Sequence, residues 1–186
     1  ISVPPMTSWI SWLINSLGGS VFWVKFFPAL FGTLTIITVW KIIEQLGGKN
    51  FASILGIVAI SFSVLLRINI LYQPNSFDIF FWTLTYYTII KYVGTKKTVW
   101  LFATALAIGF GILSKYNIAF LVIGLLAGLL LTSERKIFLT KELYISALVV
   151  IILITPNVLW QISNHFPTRH QLDELSRTQL VNVKRS

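Results

Sequence analysis

The chain has 186 residues, of which 55% are hydrophobic and only 11% charged, with a mean hydropathy of +0.79. Soluble domains carry about 25% charged residues, so this composition belongs in lipid. The net charge of +9 comes from basic residues scattered through short connectors, which argues against a nucleic-acid surface, and zero cysteines exclude disulfides, thiolate catalysis and Cys-based metal sites.

The chain opens on Ile1 without an initiator Met or a cleavable signal pattern and stops at Arg185-Ser186, so it reads as an internal part of a larger protein. Residues 8–18 are too short to span a bilayer. Trp9, Trp12, Leu13 and Leu17 share a helical face that suits a helix lying in the interface. A spanning helix needs about 20 mostly apolar residues. Six stretches qualify, at about 26–46, 51–71, 77–93, 98–114, 116–133 and 143–161. Pro28 falls in the first turn of the first stretch, where its missing N–H costs little. Gly47-Gly48 and Gly94 mark helix ends. The third stretch is the least apolar, with Asp78 in its first turn and Lys91 in its last. Gly124 with Gly128, and the ladder Ala103, Ala107 and Gly111, read as helix-packing seams. Pro156 predicts a kink or an early end in the sixth stretch. Beyond it, residues 168–183 set Leu172, Leu175, Leu180 and Val183 against Asp173, Glu174, Arg177 and Gln179, the pattern of a docked amphipathic helix. The expected fold is all-α: a polytopic membrane helix bundle of about six transmembrane helices plus interfacial amphipathic helices. Its divisions are 1–25 with the first interfacial helix, a transmembrane core over 26–161, and an outer segment over 162–186.

Connector charges set the orientation. One set carries Lys41 and Lys49, then Lys91, Lys96 and Lys97, then Arg135, Lys136 and Lys141; the opposite set carries Lys25, Arg67 and Lys115. The denser set should be cytoplasmic. The suspicious polar residues then gather on the other face: Arg67, the stretch Gln73-Pro74-Asn75-Ser76-Phe77-Asp78, and Lys115. Ionisable groups at helix ends in a bilayer are costly unless solvated or paired, and so they mark a candidate site.

Each of these has a bland reading beside the chemical one. Arg67 is either a snorkelling anchor or a guanidinium for an anionic headgroup. Lys115 either ends two helices or supplies a point charge to a lipid phosphate, with Tyr116 beside it as an interfacial aromatic. Asp78 either caps a helix start or is a buried acid that orients a cation or a sugar hydroxyl. Gln73 and Asn75 share that second role, although turn chemistry also explains Asn75. His165, His170, Asp173 and Glu174 match no strong metal-ligand spacing, so no metal is expected.

Several segments in this order resemble one family of membrane enzymes. Val3-Pro4-Pro5-Met6-Thr7-Ser8-Trp9 and Phe26-Phe27-Pro28-Ala29-Leu30-Phe31-Gly32 are similar to its junction between first outer loop and second helix. Gln73 through Leu84, Gly109 through Tyr116, and Thr155 through Trp160 continue the match, as do Phe166 through Leu172 and Arg177 through Leu180. The family is the GT-C glycosyltransferases of the dolichyl-phosphate-mannose protein mannosyltransferase type, which include the bacterial aminoarabinose lipid A transferases. The resemblance implies sugar transfer from a polyprenyl-phosphate-sugar donor to a protein, lipid or glycan acceptor, with no cofactor. It implies an integral membrane protein, in bacteria of the inner membrane, with its site facing the periplasm or exterior. Arg67 and Lys115 would bind the donor phosphate; Asp78, Gln73, Asn75 and Tyr116 would position the sugar or the cations; apolar grooves would hold the polyprenyl chain. The family's catalytic Asp-Glu pair would lie upstream of Ile1, so this stretch alone is expected to be inactive.

Two other readings compete: a transporter or flippase, and a non-catalytic membrane scaffold. A transporter places polar groups near the midplane in repeated halves, whereas these lie near helix ends and no internal repeat is visible.

Overall fold

The structure is a computed structural model that describes residues 4–168 and Arg177. Among the described residues every regular element is a helix. The predicted amphipathic segment 168–183, with His170, Asp173 and Glu174, lies almost wholly outside them.

Helix α1 (Met6–Ser16) buries Ile10 and Ile14, one turn apart, and leaves Trp9, Trp12 and Leu13 exposed. A reversal through Gly18 and Gly19, both at positive φ, leads into α2 (Val21–Gln45). This helix starts well before residue 26, because the chain becomes helical directly after the extended Ser20. Pro28 is therefore inside the helix and not in its first turn, a correction to the expected boundary. Its ring sits on the buried face with Gly32, Thr35 and Thr38, and the two hydroxyls return to the carbonyls of Phe31 and Leu34 at 2.8 and 2.7 Å. Such back-bonding lets a polar side chain sit in an apolar bundle without an orphaned donor.

The predicted second span is broken. Helix α3 (Asn50–Ser61) stops at a bend, followed by the short α4 (Val64–Arg67) and a 3-10 turn, Ile68–Ile70. The Ser63 hydroxyl takes the carbonyl of Ile60 at 2.7 Å, so the serine competes for a backbone group that a continuing helix would use.

Helix α5 (Pro74–Thr95) begins with proline at its first position, where the lost N–H is harmless. Gly94 stays helical, and Lys96 takes the left-handed closing position at φ 56°. Helices α6 (Thr98–Ser114) and α7 (Ile118–Leu131) lie close to the predicted spans. After Leu131 the chain bends by 108° into a 3-10 segment, Ser133–Leu139. Helix α8 (Lys141–Ser163) runs on through Pro156 without the expected early end.

Of the six expected spans, α2 and α8 are long and apolar enough on their own to cross a membrane, and α7 with its bent 3-10 partner forms a third candidate. Helices α3 and α6 are apolar but shorter. The core row runs α2, α5, α6, α8, with α5 packed most extensively against α6 and α2. Thr104 of α6 donates to Thr88 of α5 at 2.9 Å across the first of these seams. Helix α7 joins the core through its first half, where Ile118 and Leu121 meet Phe77 and Phe81 and Leu125 packs beside them, and adds little beyond it. Added Cβ atoms at Gly124 and Gly128 would meet nothing within 4 Å, so that predicted seam carries no packing among the described residues. Gly111, from the other predicted ladder, is a true close approach: a Cβ there would run into Ile118 and come within 3.3 Å of Phe81.

Candidate functional site

The α5 start, the α6–α7 turn and the last turns of α8 converge at one end of the bundle. Asp78 is the fifth residue of α5, and it is 7% exposed. It makes no cap: Gln73 holds the N-cap position, and no side chain bonds the free N–H groups there. The capping reading of Asp78 is thereby replaced by that of a buried acid, one turn inside the helix.

The α6–α7 turn supplies its partners. Lys115 is fully extended (φ −159°, ψ 133°) between two helices. Extended backbone sends successive side chains to opposite sides. Accordingly Lys115 and Asn117 reach towards α5, and Tyr116 towards α8. The Lys115 ammonium donates to Asn75 Oδ1 at 2.7 Å, and the Asn117 amide donates to Asp78 Oδ2 at 3.0 Å. Asn75 and Asp78 are three residues apart on α5, so one helical face meets both. The Ser114 hydroxyl points at the Pro74 carbonyl at 3.5 Å. On the other side, Tyr116 OH donates to Asn157 Oδ1 at 2.9 Å and accepts from Gln161 Nε2 at 3.2 Å. Gln161 also donates to Thr168 Oγ1 at 2.9 Å, tying the segment after α8 to the same cluster.

The electrostatics are uneven. Lys115 is half-buried and bonds a neutral amide oxygen rather than a carboxylate. An ammonium has three donors, so two remain for an anionic partner. Asp78 is close enough to feel the Lys115 charge. Among the described residues four buried polar atoms here have no partner of good hydrogen-bond geometry, namely Asp78 Oδ1, Asn117 Oδ1, Trp82 Nε1 and Gln161 Oε1, although the Trp82 indole lies near enough to Asp78 to act on its carboxylate. Buried polar groups are ordinarily satisfied, so such a concentration marks the place as more than packing.

The structure brings Lys115, Asn75 and Asp78 into one cluster, and links Tyr116 to it through the backbone. Gln73 is half-buried beside them as the residue that launches α5. Next to it, Tyr72 OH donates to the Thr7 carbonyl at 2.7 Å and bonds Ser11 Oγ at 3.0 Å, which fastens α1 over this end. Burial pushes the Tyr72 phenol up, and the Ser11 hydroxyl moderates this. Arg67 stands apart. It is exposed at the end of α4, lining a separate shallow hollow of about 430 Å³ with Ser61 and Ser63. The residues lining its hollow include none of the Lys115 cluster. Asn117, Asn157 and Gln161 were not singled out from sequence. The available signal was an amide side chain in an otherwise apolar span, above all the Asn157–Gln161 pair at i,i+4 near the end of α8. Among the described residues no three His, Asp or Glu side chains gather as metal ligands.

The description "dolichyl-phosphate-mannose-protein mannosyltransferase" matches residues 2–160, a range that holds Lys115, Asn75, Asp78, Asn117, Tyr116 and Asn157. The chain belongs to this family. That bears out the resemblance read from Gln73 through Leu84, Gly109 through Tyr116 and Thr155 through Trp160. Lipid A galacturonosyltransferase RgtD of Rhizobium johnstonii is 23% identical over 191 residues, covering 99% of this chain and 40% of that protein. The chain thus spans well under half the length of this relative. No solved structure matches it.

Proposed function

We propose that the chain is the helical core of a membrane glycosyltransferase that moves a sugar from a polyprenyl-phosphate donor to an acceptor on the non-cytoplasmic face. The family supports the reaction class. The observation that carries the assignment of the site is the Lys115 ammonium, held by the neutral Asn75 oxygen beside the buried Asp78. In the transfer, an acceptor oxygen bonds the anomeric carbon while the bond from that carbon to the phosphate oxygen breaks. The electron pair leaves on the phosphate, and the acceptor proton goes to a base. Lys115 offsets the charge that grows on the departing phosphate. Asn75 fixes the ammonium, and Asp78 with Asn117 orients the sugar or that cation. The base belongs to the Asp-Glu pair that the family resemblance places in its first outer loop. Arg67 is a second phosphate contact only if its hollow faces the same donor. Among protein, lipid and glycan acceptors, the similarity to a lipid A galacturonosyltransferase supports a lipid. The polar cluster sits at one end of the bundle and not at mid-depth, which does not favour a transporter.

The test is sugar transfer in membranes by the full-length protein, using a labelled polyprenyl-phosphate-sugar pool. Lys115→Ala should lower kcat about 100-fold or more at equal expression, the usual effect of removing one preorganised charge-stabilising group. Arg67→Ala, tested alongside, should act mainly on the donor KM if it binds the same phosphate. Full transfer by Lys115→Ala would remove that residue from the mechanism, and no transfer with any lipid-linked donor would defeat the reaction class.

A further inference from the structure

The opposite end of the bundle holds a second polar hollow that the transfer reaction does not use. It has a volume of about 500 Å³, and Tyr92, Lys96, Glu134, Arg135, Lys136 and Thr140 are among its lining residues. Among the described residues Lys96 and Glu134 form the only ion pair, which leaves Arg135 and Lys136, both exposed, without a carboxylate partner. The hollow is therefore net cationic. One of its lining residues, Ile137, is only 3% exposed and also lines a wholly different space. That second space is an apolar groove of about 440 Å³ between α6, α7 and α8, with Ile108, Val122, Leu126 and Val150 in its walls. The groove lies where α7 stands off from α8.

A cationic hollow that shares a wall residue with an apolar slot has, side by side, the two chemistries of a phospholipid. We propose that this corner binds an anionic phospholipid of the adjoining leaflet, with its phosphate at Arg135, Lys136 and Lys96 and one acyl chain in the groove. The local geometry supports this. The 108° bend turns Ser133–Leu139 across the end of α7. If α7 runs along the bilayer normal, this segment lies nearly in the membrane plane. Leu131 and Leu139 at its two ends are 86% and 87% exposed, as suits residues dipping into acyl chains. Basic pockets between membrane helices are recurrent sites for anionic headgroups. The sugar donor is served elsewhere: the 17 residues of α6 separate this hollow from Lys115, about 25 Å at the helical rise. Anchoring lipid here would brace α7 against α8, which the protein's own contacts leave largely apart.

The experiment is a lipid titration of the full-length protein in detergent, read by native mass spectrometry as bound lipid. Phosphatidylglycerol should be retained and phosphatidylcholine with the same acyl chains should not. Arg135→Gln with Lys136→Gln should weaken retention about 30-fold, the loss of two surface charges' attraction. Both residues are exposed, so the fold should tolerate the change. Lys41→Gln with Lys49→Gln, expected on the same face but outside the hollow, should have no effect. Ile123→Trp, at a 64% exposed position in the groove wall, should block the acyl chain and also abolish retention. Equal retention of both lipids, or unchanged retention in the Arg135→Gln/Lys136→Gln protein, overturns the proposal. So does soluble glycerol phosphate binding as tightly as the lipid, which would make the site a phosphate site only. Displacement of phosphatidylglycerol mole for mole by polyprenyl phosphate would assign the groove to the sugar donor and equally overturn it.

Discussion

Asn117 shows how much one amide can carry. It donates the well-formed hydrogen bond to Asp78, with the Trp82 indole and the Lys115 charge acting beside it. Asn117→Ala would take the donor from Asp78 Oδ2, at a cost of about 1–3 kcal/mol. The expected outcome is a lower thermal midpoint in detergent. A midpoint equal to the parent's would mean that another group, water included, holds Asp78. Lys115, Asn75 and Asp78 were legible as candidates because they interrupt apolar runs, although each also had a bland reading, and Tyr116 only as the aromatic beside Lys115. The pairing was not legible. It depends on the extended backbone at Lys115, which no composition rule specifies, and on which helix each side of the turn then faces. Nothing in the sequence set Asn117 apart, for the same reason. Arg67 also stood out by residue type, less sharply than Lys115, and the break at Ser61–Ser63 carries it to a different hollow.

At the level of elements, long apolar runs bounded by charge located α6 to within the bounds observed and α7 and α8 to within about two residues, the usual uncertainty of helix ends. The misses have local causes. Hydropathy does not register a serine that takes a carbonyl away from the helix, so 51–71 read as one span and folds as α3, α4 and a 3-10 turn. Nor does it register that two glycines at positive φ can reverse the chain early enough for α2 to begin at Val21. The small-residue ladders also divided: Gly111 is a contact and Gly124 with Gly128 is not. Gly111→Val should therefore force α6 and the start of α7 apart, lowering stability by about 1–3 kcal/mol as overpacking does. Gly124→Val, with open space around its Cβ, should be far milder. Thermal midpoints of the two variants compare them directly, and similar losses would contradict the described packing of α7.

For the whole molecule, the arrangement has two polar ends joined by apolar helices. The connector charges predict that the end bearing Lys96, Arg135 and Lys136 is cytoplasmic and the end bearing Lys115 is not. These 186 residues contain no cysteine, so, once any cysteine elsewhere in the full-length protein is replaced by serine, the check is direct. Single cysteines at Arg135 and at Asn164 in the full-length protein should react with an impermeant maleimide from opposite sides of the membrane, Asn164 from outside. Labelling of Arg135→Cys from outside would invert the topology and place the proposed transfer site on the cytoplasmic face.

The turn between α6 and α7 carries a constraint of length rather than of residue identity. Connectors usually absorb insertions and deletions with little penalty. Here a single residue added before Lys115 would exchange the two walls of the site, turning the phenol of Tyr116 towards Asn75 and Asp78 and the ammonium towards Asn157. Every side chain would still be present and the helices would still be apolar, but the cation would have left its acid. Spacing in this short stretch is thus as much a part of the site as the lysine itself, and variants that change its length should fail where many point substitutions survive.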